Sequence, residues 1–359
     1  MHKIFTDSNK IAKTFSLYLM IFVATTSTCF AQSLYVVSDH QKPVVNYNHP
    51  DVLATKNLSG FETGQVVKLN GTYHMFVNEM FIRAHRDMRI AYWTSKDAIN
   101  WERKGTIKES IPGRSHSNPL SEVWATGVEF NEEENAWNLF YVAYRGGDEE
   151  KGELPGSDYS GKIWRAKSVI LGEEGIAGPY ADMEVIMQPD ENSQEWEGQQ
   201  AVATFNPYKV GNTWFAFYDG HNYSPLGPWP SGLAFSNKLN GPWHRMPEGI
   251  NPLKIVDNFM ENPQVTKMKD GRYLTVFDSK GDHEIGYSIS EDGVNWSKEI
   301  RLKVQKKPNI WVEEGDHSMR TPLCVIEEDN GSFTIVYTAR TKINETSFYA
   351  IGKCSLAWK

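Results

Sequence analysis

Two glutamates, Glu62 and Glu261, stand in matched local sequence: Phe61-Glu62-Thr-Gly-Gln65-Val66 and Met260-Glu261-Asn-Pro-Gln264-Val265. Two carboxyls brought to one pocket can divide the work of general acid and general base if their surroundings push their proton affinities apart. Arg320 precedes Thr-Pro in a third segment of the same kind. None of these side chains belongs in a core, because burying a charge is costly unless it is paired or used. A salt-bridged plug, Arg320 held by Glu62 or Glu261, is the structural alternative to a reactive pocket. Other groups that bind or exchange protons lie near the three. They are Asp316-His317 just before Arg320, Asp257 before Glu261, Trp124, and His221 in Asp219-Gly-His. The stretch Phe81-Ile-Arg83-Ala-His85-Arg86-Asp-Met-Arg89 is dense in cations, and Arg forks match carboxylate or sulfate geometry. Glu62, Glu261 and His317 are therefore the candidate catalytic residues. Arg320, Trp124, His221, Gln200, Arg83 and Arg86 are candidates for holding a substrate.

The elements that would position these groups repeat. Ser95-Lys-Asp97-Ala-Ile-Asn100-Trp101 returns as Ser290-Glu-Asp292-Gly-Val-Asn295-Trp296, in each case after a Tyr, Tyr92 or Tyr287. One unit used more than once points to an array. Five segments behind turns alternate aromatic or apolar with polar residues: Tyr73-His-Met-Phe76, Trp137-Asn-Leu-Phe140, Trp214-Phe-Ala-Phe217, Tyr273-Leu-Thr-Val276 and Phe333-Thr-Ile-Val336. That is strand periodicity, and no segment sustains a helical period. The implied fold class is all-β, a five-bladed β-propeller with blades at 60–105, 122–182, 197–246, 259–300 and 317–358. Residues 34–50 complete a blade or plug one face. The Asp of each Ser-x-Asp turn caps backbone amides, and Trp101 and Trp296 pack between blades. The innermost strand of each blade starts at one rim of a central channel. One position per blade then forms a ring: Glu62, Ala125, Gln199 or Gln200, Glu261 and Arg320.

Lys3, Lys10 and Lys13 precede an apolar run from Phe15 to Val23, and Cys29-Phe30-Ala31 supplies a small-x-Ala cleavage site. Residues 1–31 are read as a signal peptide, its apolar part too short to span a bilayer. The protein is then exported, periplasmic or secreted. Cys29 as a lipoprotein cysteine is the alternative, with Thr28 a poor fit before it. Residues 32–359 form a single domain, and no later stretch is apolar enough for membrane insertion. A net charge of −8, from 37 Lys+Arg and 45 Asp+Glu, leaves no basic stripe for phosphates and argues against nucleic acid as a partner. Cys324 and Cys354, both in the final repeat, are either a disulfide or two buried thiols on different strands. No Cys/His spacing suggests zinc.

The Gly-x-Tyr strands, the Ser-x-Asp turns ending in Trp, Glu261-Asn262-Pro263 and the late Asp316-His317 together resemble the five-bladed β-propeller glycoside hydrolases. These are the arabinanase/xylosidase and fructosidase-type clans and their relatives acting on algal galactans. The likeness covers nearly all of the chain after residue 31. It implies an acidic base or nucleophile in blade one, here Glu62 where Asp is usual, and a general acid in blade four, here Glu261. His317 matches a late-blade histidine that approaches sugar hydroxyls. The blade-two Asp of those enzymes is missing from Trp124-Ala-Thr-Gly127-Val. The implied activity is hydrolysis at the terminal sugar of an acidic, algal-type oligosaccharide or polysaccharide by a monomer. Glu261 protonates the leaving oxygen and Glu62 activates water, with carboxyls on the order of 6.5–9.5 Å apart for inversion. Two alternatives stand beside it. One is β-elimination next to a uronate neutralised by Arg320, with His221, His317 or Glu62 as base, which makes the protein a lyase or dehydratase. The other is a non-catalytic sugar-binding propeller. No cofactor is expected, although propellers of this sort sometimes hold Ca²⁺ in the channel.

Overall fold

Alternation of aromatic and polar residues produces strands throughout. The computed structural model describes residues 33–359 except 58, 83–86, 112–115, 154–157, 222–229, 258, 280–282, 305–310, 316–317 and 344–345. The expected signal peptide lies outside the described residues, as do Arg83, Arg86 and His317. Residues 34–358 form one compact unit. Among the described residues it is all-β, apart from a short helix and three short 3₁₀ segments.

Strand β1 (Leu34–Asp39) comes first, followed by helix α1 (Pro50–Thr55). Then come runs in which each strand pairs antiparallel with the next. The first run is β2 (Gly60–Leu69), β3 (Thr72–Ile82), β4 (Asp87–Ser95) and β5 (Trp101–Glu109). The second is β6 (Glu122–Asn131), β7 (Ala136–Gly146), β8 (Asp158–Ser168) and β9 (Tyr180–Met187). The third is β10 (Ala201–Val210), β11 (Thr213–His221), β12 (Ser231–Ser236) and β13 (His244–Arg245). The fourth is β14 (Glu261–Lys267), β15 (Tyr273–Asp278), β16 (Glu284–Ser290) and β17 (Ile300–Lys303). The fifth is β18 (Met319–Glu327), β19 (Phe333–Ile343) and β20 (Thr346–Trp358). Its fourth strand is β1, which pairs with β20 from Leu34 opposite Trp358 to Asp39 opposite Cys354. Residues 34–39 thus complete the last run rather than plug a face.

Buried apolar clusters join each run to the next. Phe76, Tyr92, Val128 and Leu139 link the first and second, and Phe140, Ile163, Phe205 and Tyr218 the second and third. Tyr208, Phe217, Tyr273 and Phe277 link the third and fourth, and Val276, Tyr287, Phe333 and Ile335 the fourth and fifth. Phe61, Trp93, Val336 and Ile351 then link the fifth back to the first. Burial therefore connects the runs in a cycle, which explains strands that carry apolar side chains on both faces. Where β2 meets β20, a Cβ on Gly60 would lie 2.1 Å from the Tyr349 carbonyl oxygen, and Gly60 has φ +97°. Only glycine fits there.

The repeated turns are the structural devices that their sequence implies. Asp97 Oδ1 accepts from the backbone N–H of Ile99 and Asn100, both at 2.8 Å. Asp292 Oδ1 accepts from Val294 and Asn295 at 2.8 and 2.7 Å. Trp101 joins the cluster between the fifth and first runs, and Trp296 packs on Tyr208 and Phe217 of the third. Cys324 and Cys354 are free, buried thiols. Cys324 belongs to the cluster facing the first run and Cys354 to the cluster facing the fourth. They lie on opposite faces of one sheet, so the disulfide alternative is not realised.

Candidate active site

A defect repeated in the first strand of each run aims the ring residues. The register shifts between Glu62 and Gly64, Ala125 and Gly127, Ala203 and Phe205, Glu261 and Gln264, and Met319 and Pro322. In three of these the residue after the ring position has a left-handed backbone: Thr63 (φ 47°), Thr204 (φ 51°) and Asn262 (φ 52°). Such strain costs roughly 1–3 kcal/mol per residue, and a bulge turns the neighbouring side chain out of the strand's ordinary alternation. The ring is thus Glu62, Ala125, Ala203, Glu261 and Arg320. Ala203 replaces the expected Gln199 or Gln200, which precede β10. In the other four runs Gly or Pro follows the bulge. In the third run Phe205 stands there and hides the match.

Arg320, on the fifth run, adjoins both the first and the fourth in the cycle and reaches both. Its Nη2 lies 2.6 Å from Glu62 Oε1, and its Nη1 lies 3.1 Å from Glu261 Oε2 and 3.1 Å from Asp278 Oδ2. Asp278 ends β15 directly across from Glu261. Like charges placed opposite one another are unfavourable, and the guanidinium between them relieves that repulsion. Burial opposes the charge on Arg320, but Glu62, Glu261 and Asp278 more than offset it and hold the guanidinium well above its ordinary pKa. The ion pairs of the plug alternative are therefore present, and they form at the wall of a cavity.

In the third run Asp219 takes the place of Asp278, opposite Ala203. It is fully buried and accepts a hydrogen bond from the Ser231 hydroxyl. That hydroxyl also lies 3.4 Å from the carbonyl of Met260, the residue before Glu261. Burial pushes the Asp219 carboxyl up to about 8, and the charge of Glu261 adds to the rise, against hydrogen bonds from Ser231 and Thr204.

The cavity is about 210 Å³, and Glu62, Glu261 and Arg320 line it together. The three residues far apart in sequence do meet. Met80 and Met88 of the first run contribute, as do Trp124, Tyr144 and Asp158 of the second. Trp124 is placed as the sequence implies. Asp158, Tyr144 and Asn262 also line the cavity, and the sequence reading missed them. Asp278 and Asp219 carry a signal that could have been read, an Asp in the second strand directly after Phe277 or Tyr218.

Other expected site residues lie elsewhere. His221 is buried at the end of β11 opposite Ala201 and does not line the cavity. Gln200 does not line it either, because its Nε2 donates to the Asp158 carbonyl at 2.8 Å. Asp257 faces solvent and pairs with Lys298 at 2.8 Å. Arg89 is turned onto Glu79, which is fully buried and also holds Arg103 and the Trp93 indole. Among the described residues no three His, Cys, Asp or Glu side chains are grouped as metal ligands.

No protein-family model matches the chain. A stretch of 52 residues is 40% identical to a 1,2-beta-oligomannan phosphorylase of Thermoanaerobacter sp. (strain X514), covering 14% of this chain and 18% of that protein. Zg3597, a family 117 glycoside hydrolase produced by the marine bacterium Zobellia galactanivorans, has a similar structure over 90% of both chains, with a TM-score of 0.59 and 15% identity. An alpha-L-arabinofuranosidase from Lactobacillus brevis is similar over 83% of this chain and 91% of its own, with a TM-score of 0.53 and 12% identity. A sucrose-6-phosphate hydrolase from Lactobacillus gasseri is similar over 83% of this chain and 58% of its own, with a TM-score of 0.56 and 12% identity. The fold is that of the propeller glycoside hydrolases.

Proposed function

We propose that this chain is a five-bladed β-propeller glycoside hydrolase that releases the terminal sugar of an oligosaccharide outside the cytoplasm, with Glu261 as general acid and Glu62 as general base. The five-blade reading is supported by the antiparallel runs and by the apolar clusters that link the last run to the first. The observation that carries the chemistry is the convergence of Glu62 and Glu261, from separate runs, on Arg320 at a cavity of about 210 Å³.

In this reading Glu261 gives a proton to the leaving glycosidic oxygen while Glu62 takes one from the attacking water. The bond from the anomeric carbon to that oxygen breaks, the water oxygen bonds to the carbon from the opposite face, and the configuration inverts. Arg320 positions both reacting groups by an ion pair to each. The expected acidic substrate relies on Arg320 together with Arg83, Arg86 and His317, and the β-elimination alternative on Arg320 receiving a uronate. Arg320 is engaged by Glu62, Glu261 and Asp278 and so supports neither, while Arg83, Arg86 and His317 lie outside the described residues.

The test is incubation of the purified protein with neutral and acidic oligosaccharides, read by mass spectrometry. Loss of one sugar with gain of water means hydrolysis, an unsaturated product means elimination, and binding without mass change means a sugar-binding module. Glu261→Gln and Glu62→Gln should each lower kcat by about 10²–10⁴. Undiminished turnover by Glu261→Gln would remove it from the acid role.

A further inference from the structure

Two polar side chains at the cavity have no part in the acid–base step. Asn262 sits in the bulge of β14, buried at 5% exposure, and its Nδ2 has no hydrogen-bond partner among the described residues. A buried amide left unpaired is destabilising, so such a donor belongs where a ligand supplies the acceptor. Asp158, at 7% exposure, enters the same cavity from the second run. Its backbone is pinned from the third run. Gln200 Nε2 donates to the Asp158 carbonyl at 2.8 Å, and the Ser160 N–H donates to the Gln200 carbonyl at 2.9 Å. Gly161 keeps this corner tight, because a Cβ there would fall 2.4 Å from the Tyr144 ring. Trp124 brings an aromatic surface to the same space.

We propose that Asn262, Asp158 and Trp124 form the site that reads the terminal sugar. Asn262 Nδ2 donates to a hydroxyl oxygen, the Asp158 carboxylate accepts from hydroxyl hydrogens, and Trp124 covers the apolar face of the ring. The ligand class is a neutral sugar with free hydroxyls. A uronate would bring its carboxylate among Asp158, Glu62 and Glu261 with the Arg320 fork already engaged. This inference rests on the glycosidase reading and specifies its substrate.

The experiment compares matched neutral and uronate-terminated oligosaccharides, and a neutral series lacking single hydroxyls, with the wild type, Asp158→Asn and Asn262→Ala. The wild type should prefer the neutral substrate at least about tenfold. Asp158→Asn should lower kcat/KM on the neutral sugar by about 10–100-fold, the worth of a charged hydrogen bond, and narrow the neutral-to-uronate ratio. For Asn262→Ala, the loss should vanish on the one deoxy sugar that lacks its acceptor. Thermal unfolding of each variant separates lost recognition from lost folding, and Asp158→Glu supplies a second replacement if the Asn variant unfolds. Variants that keep wild-type kcat/KM and selectivity, with an active wild type, overturn this inference and leave the glycosidase reading standing. An inactive wild type overturns that reading instead. Calorimetric binding of the same neutral sugars then decides the reading site, and equal affinity for the wild type and Asp158→Asn, or no affinity, overturns it.

Discussion

Replacing Asp219 by Asn should make the protein more stable in alkaline solution. Asp219 is fully buried against Ser231 and Thr204, and its surroundings raise its carboxyl from 3.8 to about 8. The folded chain therefore holds a proton that the unfolded chain has released. Stability falls as pH rises from about 4 to about 8 and levels off above. A tenfold change in proton affinity is about 1.36 kcal/mol, so the full span is on the order of 5 kcal/mol. Asn matches the shape of the protonated acid and keeps an oxygen for the Ser231 hydroxyl. Denaturant titrations of both proteins between pH 4 and pH 9 give the difference curve. The two should agree to within about 1 kcal/mol at pH 4, and the variant should gain several kcal/mol by pH 9. Burial also raises Glu129 to about 8 and Asp39 to about 6. Both slope the same way and cancel in the difference. A flat difference curve, or a variant weaker at pH 9, would refute the neutral Asp219.

Arg320→Met leaves Glu62, Glu261 and Asp278 facing one another, so unfolding free energy at pH 7 should drop by about 3–5 kcal/mol. Part of that loss should return on acidification, and a stability that ignores pH would argue against the network. Asp97→Ala and Asp292→Ala should each cost about 0.5–2 kcal/mol, as lost caps do, with turnover unchanged in the folded protein. Gly60→Ala should reduce the yield of folded protein sharply, because its methyl meets the Tyr349 backbone. Burial pushes the Cys324 thiol up to about 12. Mass spectrometry after alkylation should find Cys324 and Cys354 unmodified until the protein unfolds.

The scaffold was legible because its signals are local. A Ser-x-Asp turn, an aromatic strand after Gly, and a Glu before Thr-Gly or Asn-Pro each follow from contacts within a few residues. The meeting of Glu62, Glu261 and Arg320 was legible for a related reason, since similar flanks imply equivalent places in each run. Asp158 was not, because it opens the third strand of its run just as Asp87 and Glu284 open theirs, and nothing in its local sequence sets it apart as a cavity residue. Gln200 was misplaced by three residues where Phe205 replaces the Gly or Pro of the other bulges. The pairing of Arg320 with Glu62 and Glu261 was open to a reading of the sequence, but its third partner was not. Sequence shows a guanidinium near carboxylates without showing that Asp278, across the strand from Glu261, completes its shell.

The pairing of β1 with β20 sews the first and last described strands into one sheet. Leu34 and Leu356 are buried in the same cluster, so a polypeptide shortened past Asp39 would uncover the flank of β20 and invite pairing with other molecules. The last sheet cannot be finished until the final residues have been synthesised, and such distant closure makes for slow folding.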